Sequence, residues 1–377
     1  MTRRVCYVSG TRADFGLMRQ TLQTIQSHAA LSLQVIVTGM HLSQAHGMTV
    51  NEVEAAALPI RARVPVALEP ASGATMARNL GHMTTLFTEL LDADRPDIVL
   101  LLGDRAEMLA GAIAALHLNI AILHVHGGER SGTVDEPVRH AISKLAHYHA
   151  VATAASRDRL LRMGEHDDAI FVTGAPGLDG LIESVREDRA ALCRDVQLDA
   201  ARPLALLVFH PVLAEADDSA RATHAILAAL AERSVQVLAL MPNADAGSAA
   251  IREVLSAASK QADLRLLTHL PRERFAAWMA ACDVMVGNSS AGIIEAASFG
   301  TPVLNLGSRQ NHRERNANVI DAPLEAARIV EAIDTLRRHG RYPRHNLYGD
   351  GHAAARIADL LADVPIGAQL RPKTNAY

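Results

Sequence analysis

Short runs of Val, Ile and Leu recur along this chain. Each is followed by a glycine or small polar turn, then by a stretch with apolar residues every three to four positions. In the first half the runs are Val5–Val8, Leu33–Val37, Ile98–Leu102, Ile120–Val125 and Ala169–Val172. Runs that do not alternate with polar residues read as strands buried on both faces, as in a parallel sheet. Between them, Leu17–Ile25, Thr75–Leu91, Glu107–Leu116 and Val138–Leu145 carry helical spacing. Alternating strands and helices build a doubly wound α/β layer.

The alternation then restarts. Leu204–Phe209, Val235–Leu240, Leu264–Leu267, Val284–Val286 and Val303–Leu306 read as strands of a second sheet. Helices are expected over Ala220–Arg233, Ser248–Ala258, Glu273–Ala281 and Ile293–Phe299. The fold class expected is α/β, with two Rossmann-like doubly wound domains facing across a cleft. Residues 1–175 form the first domain and 176–351 the second. A last helix around Ala353–Leu361, within a terminal segment of 352–377, is expected to pack back on the first domain. Open parallel sheets bind ligands beyond the carboxyl ends of their strands, so both sets of loops should meet in the cleft.

Composition narrows the partners. A chain of 377 residues suits two domains of roughly 150–200 residues each. With 49% hydrophobic and 21% charged residues it reads as packed, and with only 3% aromatics its cores are filled by Ala, Leu, Val and Ile. A net charge of -4 gives no reason to expect a nucleic-acid partner, while leaving an anionic small molecule open. Cys6, Cys193 and Cys282 form no CxxC pair and read as reduced, buried thiols. No apolar run reaches the roughly 18–20 residues of a membrane span, and the N-terminus lacks a signal-peptide core, so a cytoplasmic location is expected.

Unusual polar residues cluster just after the expected strands. Residues 9–16, Ser-Gly-Thr-Arg-Ala-Asp-Phe-Gly, open a helix. Free backbone N–H groups and Arg12 would hold an anion there, unless Arg12 and Asp14 form only a solvated turn. The segment matches neither a Walker A loop nor GxGxxG. Asp104 and Arg105 follow Gly103 at a strand end, where Asp104 faces the cleft or merely caps a helix. The densest group of titratable residues is His124-Val125-His126-Gly127-Gly128-Glu129, followed by Ser131-Gly132-Thr133-Val134-Asp135-Glu136-Pro137. Alternation puts His124 and His126 on one side of a strand, and the glycines would let backbone approach a ligand. Asp135 looks like a helix start. A carboxylate in such a mouth can serve as an acid or base. No HxxxH or HExxH spacing supports a metal.

In the second half, His210-Pro211 ends a strand. Asp245 lies in the turn Pro242–Ser248, and Asn288, Ser289, Ser290 and Gly292 open a helix carrying Glu295. Small polar residues at a helix start form a phosphate cradle, and Glu295 would accept ribose hydroxyls. Arg309 and Arg313 follow the next strand and can neutralise phosphate charge, or lie on the surface.

Taken together, these motifs resemble the hydrolysing UDP-N-acetylglucosamine 2-epimerases, which start sialic acid synthesis. The stretch from Ser131 to His149 is similar to the epimerase domain of the animal bifunctional enzyme. The resemblance runs from about Val5 to Gly351 and implies a GT-B-like fold with no metal and no cofactor. It also implies a two-stage reaction. The C2 proton and UDP leave to give a 2-acetamidoglucal, and water then adds to yield N-acetylmannosamine. Asp104, Glu129, Asp135 and His210 match catalytic-region residues of the family. Asp104 and Asp135 are expected to handle protons at the sugar, and His210 to assist departure of the diphosphate. His126 stands where relatives carry a glutamate, so either it or Glu129 fills that role. Arg12, Arg105, Asp245, Asn288, Ser289, Ser290, Gly292, Glu295 and Arg313 are expected at or near the nucleotide. The alternatives are the same chemistry on UDP-2,4-diacetamido-2,4,6-trideoxyglucose or GDP-N-acetylglucosamine, a GT-B glycosyltransferase, and a non-catalytic nucleotide-sugar sensor. The family further implies a homodimer or homotetramer.

Overall fold

The computed structural model describes residues 2–131, 135–243, 245, 247–370 and 372–377, so Gly132, Thr133 and Val134 of the expected site lie outside the described residues. The first half alternates β1 (Arg3–Ser9), α1 (Arg12–Ser27), β2 (Leu31–Thr38), α2 (Val50–Ala55), β3 (Ile60–Val64), α3 (Gly73–Ala93) and β4 (Ile98–Leu102). It continues with α4 (Ala106–His117), β5 (Ala121–Val125), α5 (Asp135–Leu145), β6 (Tyr148–Val151), α6 (Ala154–Arg162) and β7 (Ile170–Val172). The second half runs α7 (Arg189–Asp195), β8 (Leu204–Val208), α8 (Ser219–Glu232), β9 (Gln236–Leu240), α9 (Ser248–Ala258), β10 (Leu264–Leu267) and α10 (Arg272–Ala281). It ends with β11 (Val284–Gly287), α11 (Ser290–Ile294), β12 (Val303–Leu306), β13 (Val319–Ala322), α12 (Ala326–His339) and α13 (Ala353–Asp363).

The strands form two sheets, of seven strands in the order β3-β2-β1-β4-β5-β6-β7 and of six in the order β10-β9-β8-β11-β12-β13. Every pairing is parallel. The order reverses between β1 and β4 in one sheet and between β8 and β11 in the other, and such reversals open a crevice at the carboxyl ends. The loops after those four strands are therefore the ones set to hold a ligand.

The central strands β4, β5, β8 and β9 are buried along their whole length; β4 and β8 are unbroken apolar runs, while β5 and β9 each bury one polar residue, His124 and Gln236. Phe15, Met18, Leu22 and Ile25 of α1 pack on Val5, Tyr7 and Leu33, and Ile357 and Leu361 of α13 join the same core. A second core on one face of the other sheet gathers around Trp278, Leu206 and Leu238. All three cysteines are buried and free. No helix among the described residues is long and apolar enough to cross a membrane.

Two local expectations are corrected. The helix expected over Ile293–Phe299 is instead the short α11 followed by a tighter turn at Ala296–Phe299. The Ile293 carbonyl accepts from the Asn316 side chain at 3.1 Å and the Ile294 carbonyl from Asn346 at 2.7 Å, so neither depends on a continuing helical turn. His124 and His126 do not share a strand face, because β5 ends at Val125 and His126 takes a φ of +61°.

Candidate active site

The loop after β1 is closed by its own acid. Asp14 Oδ2 accepts from the N–H groups of Gly10 (3.0 Å) and Thr11 (2.7 Å), and the Thr11 hydroxyl caps Asp14 N in return. Two of the donors expected to greet an anion, Gly10 N and Thr11 N, are thus already taken by the chain itself. Burial pushes the Asp14 carboxyl up, while His41, Ser9 and Gly10 pull it down. Arg12 leaves the loop toward the other domain and donates to the Thr268 carbonyl at 2.6 Å.

The loops after β4 and β5 form one ionic network. Asp104 is not a helix cap, since the residue preceding α4 is Arg105. It accepts from Arg139, whose side chain is 2% exposed and also donates to the His126 carbonyl at 2.9 Å. Arg105 bonds Glu107 at 2.8 Å and lies 3.8 Å from Asp245 of the second domain. His124 is buried between the Gly103 carbonyl (2.7 Å) and the Ser143 hydroxyl (3.1 Å), and burial lowers it to about 3, so it is a neutral clamp on the Gly103 turn. His126 points its Nδ1 at Glu129 Oε1. The other Glu129 oxygen takes an ion pair from Arg313, across from the second domain. Burial alone would raise Glu129, but Arg313 and His126 overcome it and hold the carboxyl at about 2.

Gly127 and Gly128 serve packing and not ligand approach. A Cβ on Gly128, whose φ is +71°, would stand 2.4 Å from the Ser156 carbonyl oxygen, and one on Gly127 would stand 3.0 Å from Ser143 Oγ. Asp135 begins α5 and lies 3.7 Å from Arg309.

The second wall is built around His210. Asn288 grips that residue's backbone at both ends, with two bonds of 2.8 Å, so its amide is spent on positioning. The His210 Nδ1 accepts from the Asn243 N–H at 3.3 Å. Burial, then the charges of Arg309, Arg12 and Arg105, push the imidazole well below its usual range. His210 is therefore neutral, with its proton on Nε2. Ser289 caps α11 by accepting from Ala291 N, and Gly292 backs onto β12, where a Cβ would lie 2.9 Å from Val303. Glu295 is buried and holds Arg272, a partner that periodicity did not single out.

A cavity of about 260 Å³ lies between the walls. Its lining includes Arg12, Asp104, Arg105, His126 and Arg139 on one side and His210, Ser289, Ser290, Glu295, Arg309 and Arg313 on the other. Glu129, Asp135, Asp245, Asn288 and Gly292 stand outside that lining. Leu270, Phe275 and Ile294 add an apolar floor. Arg139 is the main residue sequence reasoning passed over. Its only signal was a charged residue on the inward face of α5, in register with Ile142.

Comparison with known proteins adds the following. Residues 23–362 match the UDP-N-acetylglucosamine 2-epimerase family. The UDP-N,N'-diacetylbacillosamine 2-epimerase (hydrolyzing) of Legionella pneumophila is 46% identical over 377 residues, covering 100% of both chains. The UDP-N-acetylglucosamine 2-epimerase of Neisseria meningitidis is 33% identical over 363 residues, covering 95% of each. The fold matches a crystal structure of UDP-GlcNAc 2-epimerase from Neisseria meningitidis bound to UDP-GlcNAc, with a TM-score of 0.80 at 20% identity, over 95% of this chain and 99% of that one.

Proposed function

The chain belongs to the UDP-N-acetylglucosamine 2-epimerase family, and from that premise we propose that it is a hydrolysing 2-epimerase acting on UDP-N,N'-diacetylbacillosamine. The observation that carries the reaction type is the opposition of two walls across one cavity: Asp104 and His126 on one side, neutral His210 with Arg309 on the other. Elimination needs both at once. The C2–H bond breaks as its proton goes to a base, and the C1–O bond breaks with its electron pair leaving on the diphosphate. Water then bonds C1 while a proton returns to C2, giving the free mannose-configured sugar and UDP.

In this reading residues 1–175 hold the sugar and 176–351 the nucleotide. His126 handles the C2 proton, with Asp104 and Asp135 guiding water and the returning proton. His210 donates its Nε2–H to the departing phosphate, and Arg309, Arg12, Ser289 and Ser290 balance its charge. Arg105, tied to Asp245 across the cleft, holds the mouth, and Glu295 meets the ribose. The substrate assignment rests on 46% identity over the full length to the Legionella enzyme, against 33% to the Neisseria one. The second reading, UDP-N-acetylglucosamine, is favoured by the family match. A homodimer or homotetramer in the cytoplasm completes the proposal.

The test is turnover of three donors: UDP-N,N'-diacetylbacillosamine, UDP-N-acetylglucosamine and GDP-N-acetylglucosamine. In deuterated water the first is expected to release UDP with no added acceptor and to give product deuterated at C2. Absence of deuterium at C2 overturns elimination; preference for the second donor overturns the substrate.

A further inference from the structure

Two arginines leave the segment between β12 and β13 toward the cleft, and they are spent differently. Arg309 donates to the Asn288 carbonyl at 3.3 Å, and its charge is the strongest electrostatic influence on His210. It faces the anion wall. Arg313 turns the other way and is committed to Glu129 of the first domain, 184 residues away in sequence. Its neighbour Glu314 accepts from the Thr153 hydroxyl, which staples the same segment to the first domain a second time.

What Arg313 reaches is the back of a histidine–carboxylate pair. Glu129 is 3% exposed and ionised, so it accepts from the N–H of His126 Nδ1. In the neutral ring that arrangement puts the lone pair on Nε2. His126 is 5% exposed and lines the cavity, and its Nε2, itself shielded from solvent, finds no hydrogen-bond partner among the described residues. Its left-handed backbone is what swings it off the β5 register, and Arg139 pins the carbonyl of that residue. A non-glycine residue held at positive φ at a site edge is a position the surroundings have to enforce.

We propose that Arg313 is a positioning residue for the base and not a phosphate ligand: reaching over from the second domain, it holds Glu129, and Glu129 orients the Nε2 of His126 toward the sugar. The histidine–carboxylate pair of the first domain is then completed by a residue of the second, beside Arg139 of the first, which lies 3.9 Å from the same Glu129 oxygen. The inference rests on His126 as the group that takes the C2 proton. The charged and titratable groups around that imidazole are Glu129 and Arg313, Arg139 and the Asp104 it holds, His124 on β5, and Tyr348 behind Glu129.

The experiment compares Glu129→Gln, Arg313→Met and Arg313→Lys with wild type, reading UDP affinity, C2 deuterium incorporation and the pH profile of kcat/KM. Glu129→Gln is expected to lose about 10²–10³-fold in C2 exchange while keeping UDP affinity within about twofold. Its acid limb moves to lower pH, since an anion beside the imidazole is gone. Arg313→Met moves the limb the opposite way, because the Glu129 charge is left uncompensated. It loses kcat by about 10-fold or more, with UDP affinity again nearly unchanged. Arg313→Lys keeps the charge and hence the limb, while the lost guanidinium geometry costs part of the rate, less than Arg313→Met does.

Loss of UDP affinity by about 10-fold or more in Arg313→Met, with the limb unmoved, makes Arg313 a phosphate ligand and overturns the inference. So does a limb that shifts the same way in Glu129→Gln and Arg313→Met. Should Arg313→Met fail to fold in a thermal melt, Arg313→Lys decides: weakened UDP binding at an unchanged limb overturns the proposal, and a rate loss at unchanged binding supports it. Failure of the function itself reads differently, as wild type that releases no UDP from any donor.

Discussion

Two loops of this molecule look alike on paper and behave as opposites. Ser-Gly-Thr-Arg-Ala-Asp after β1 and Gly-Asn-Ser-Ser-Ala-Gly after β11 are both small, polar and placed at a sheet's crevice. The first carries an acid within its own first turn, and that acid consumes the Gly10 and Thr11 donors. The second has no acid until Glu295, which is already held by Arg272. Whether a glycine-rich helix start can receive a ligand anion depends on whether the chain has supplied its own. By that criterion we propose the loop after β11, where Ser289 and Ser290 line the cavity, as the diphosphate seat, and the loop after β1 as a pedestal that aims Arg12 across the cleft.

The sharpest way to break the comparison is to make the second loop resemble the first. Ser290→Asp places a carboxylate in the seat, where its repulsion of a diphosphate is little screened. We expect UDP affinity to fall by at least about 100-fold, or roughly 2.7 kcal/mol, in a calorimetric titration. Affinity within about tenfold of wild type would move the seat elsewhere.

Removing the cation beside that seat should do less. Arg309→Met is expected to weaken UDP by about 10- to 100-fold, the scale of one or two charge-assisted hydrogen bonds. Arg12→Met should cost less than Arg309→Met, because the Arg12 guanidinium is already engaged by Thr268 and His269. The reverse order in the same titration would place the phosphates nearer the first domain.

Much of the scaffold is legible in the residues, and the reason is burial. Ile98–Leu102 is apolar from end to end, Leu264–Leu267 and Val303–Leu306 are broken only by Arg265 and Asn305, and all three stand where the pattern puts them. The strands that escaped notice are β3 (IRARV), β6 (YHAV) and β13 (VIDA). Two of these are sheet edges with half-exposed positions, and in β6 two polar-capable residues interrupt a four-residue run. Amphipathic α12 was readable in principle, with Ile329, Ile333 and Leu336 at helical spacing. Site residues were found as types at strand ends, but their partnerships were not. Period-two alternation cannot register that His126 has a positive φ, nor can local spacing pair Glu129 with an arginine in the other domain. Arg139 was invisible for a related reason: a buried arginine is legible only once its acids are in place.

The smallest expected effect tests the pedestal. In Asp14→Asn the amide oxygen can keep both Gly10 N and Thr11 N, which share Oδ2, but the NH₂ then stands where Oδ1 accepted from the Ser9 and Tyr7 hydroxyls, for a loss of about 1–3 kcal/mol in stability. The pH dependence follows from the direction of the shift. Burial holds the folded carboxyl above the ordinary aspartate value, so folding favours its neutral form. The stability it contributes is fully present below about pH 4, the unfolded value, and diminishes as pH rises through the folded one. Asparagine does not titrate. The gap between wild type and Asp14→Asn in urea unfolding should therefore narrow from about pH 4 toward about pH 7, other groups cancelling in the difference. A gap that widens instead would mean that the donors of the loop outweigh burial and that Asp14 serves as a bound anion in full. The first loop would then be a cradle like the second, differing only in that its anion is covalently attached.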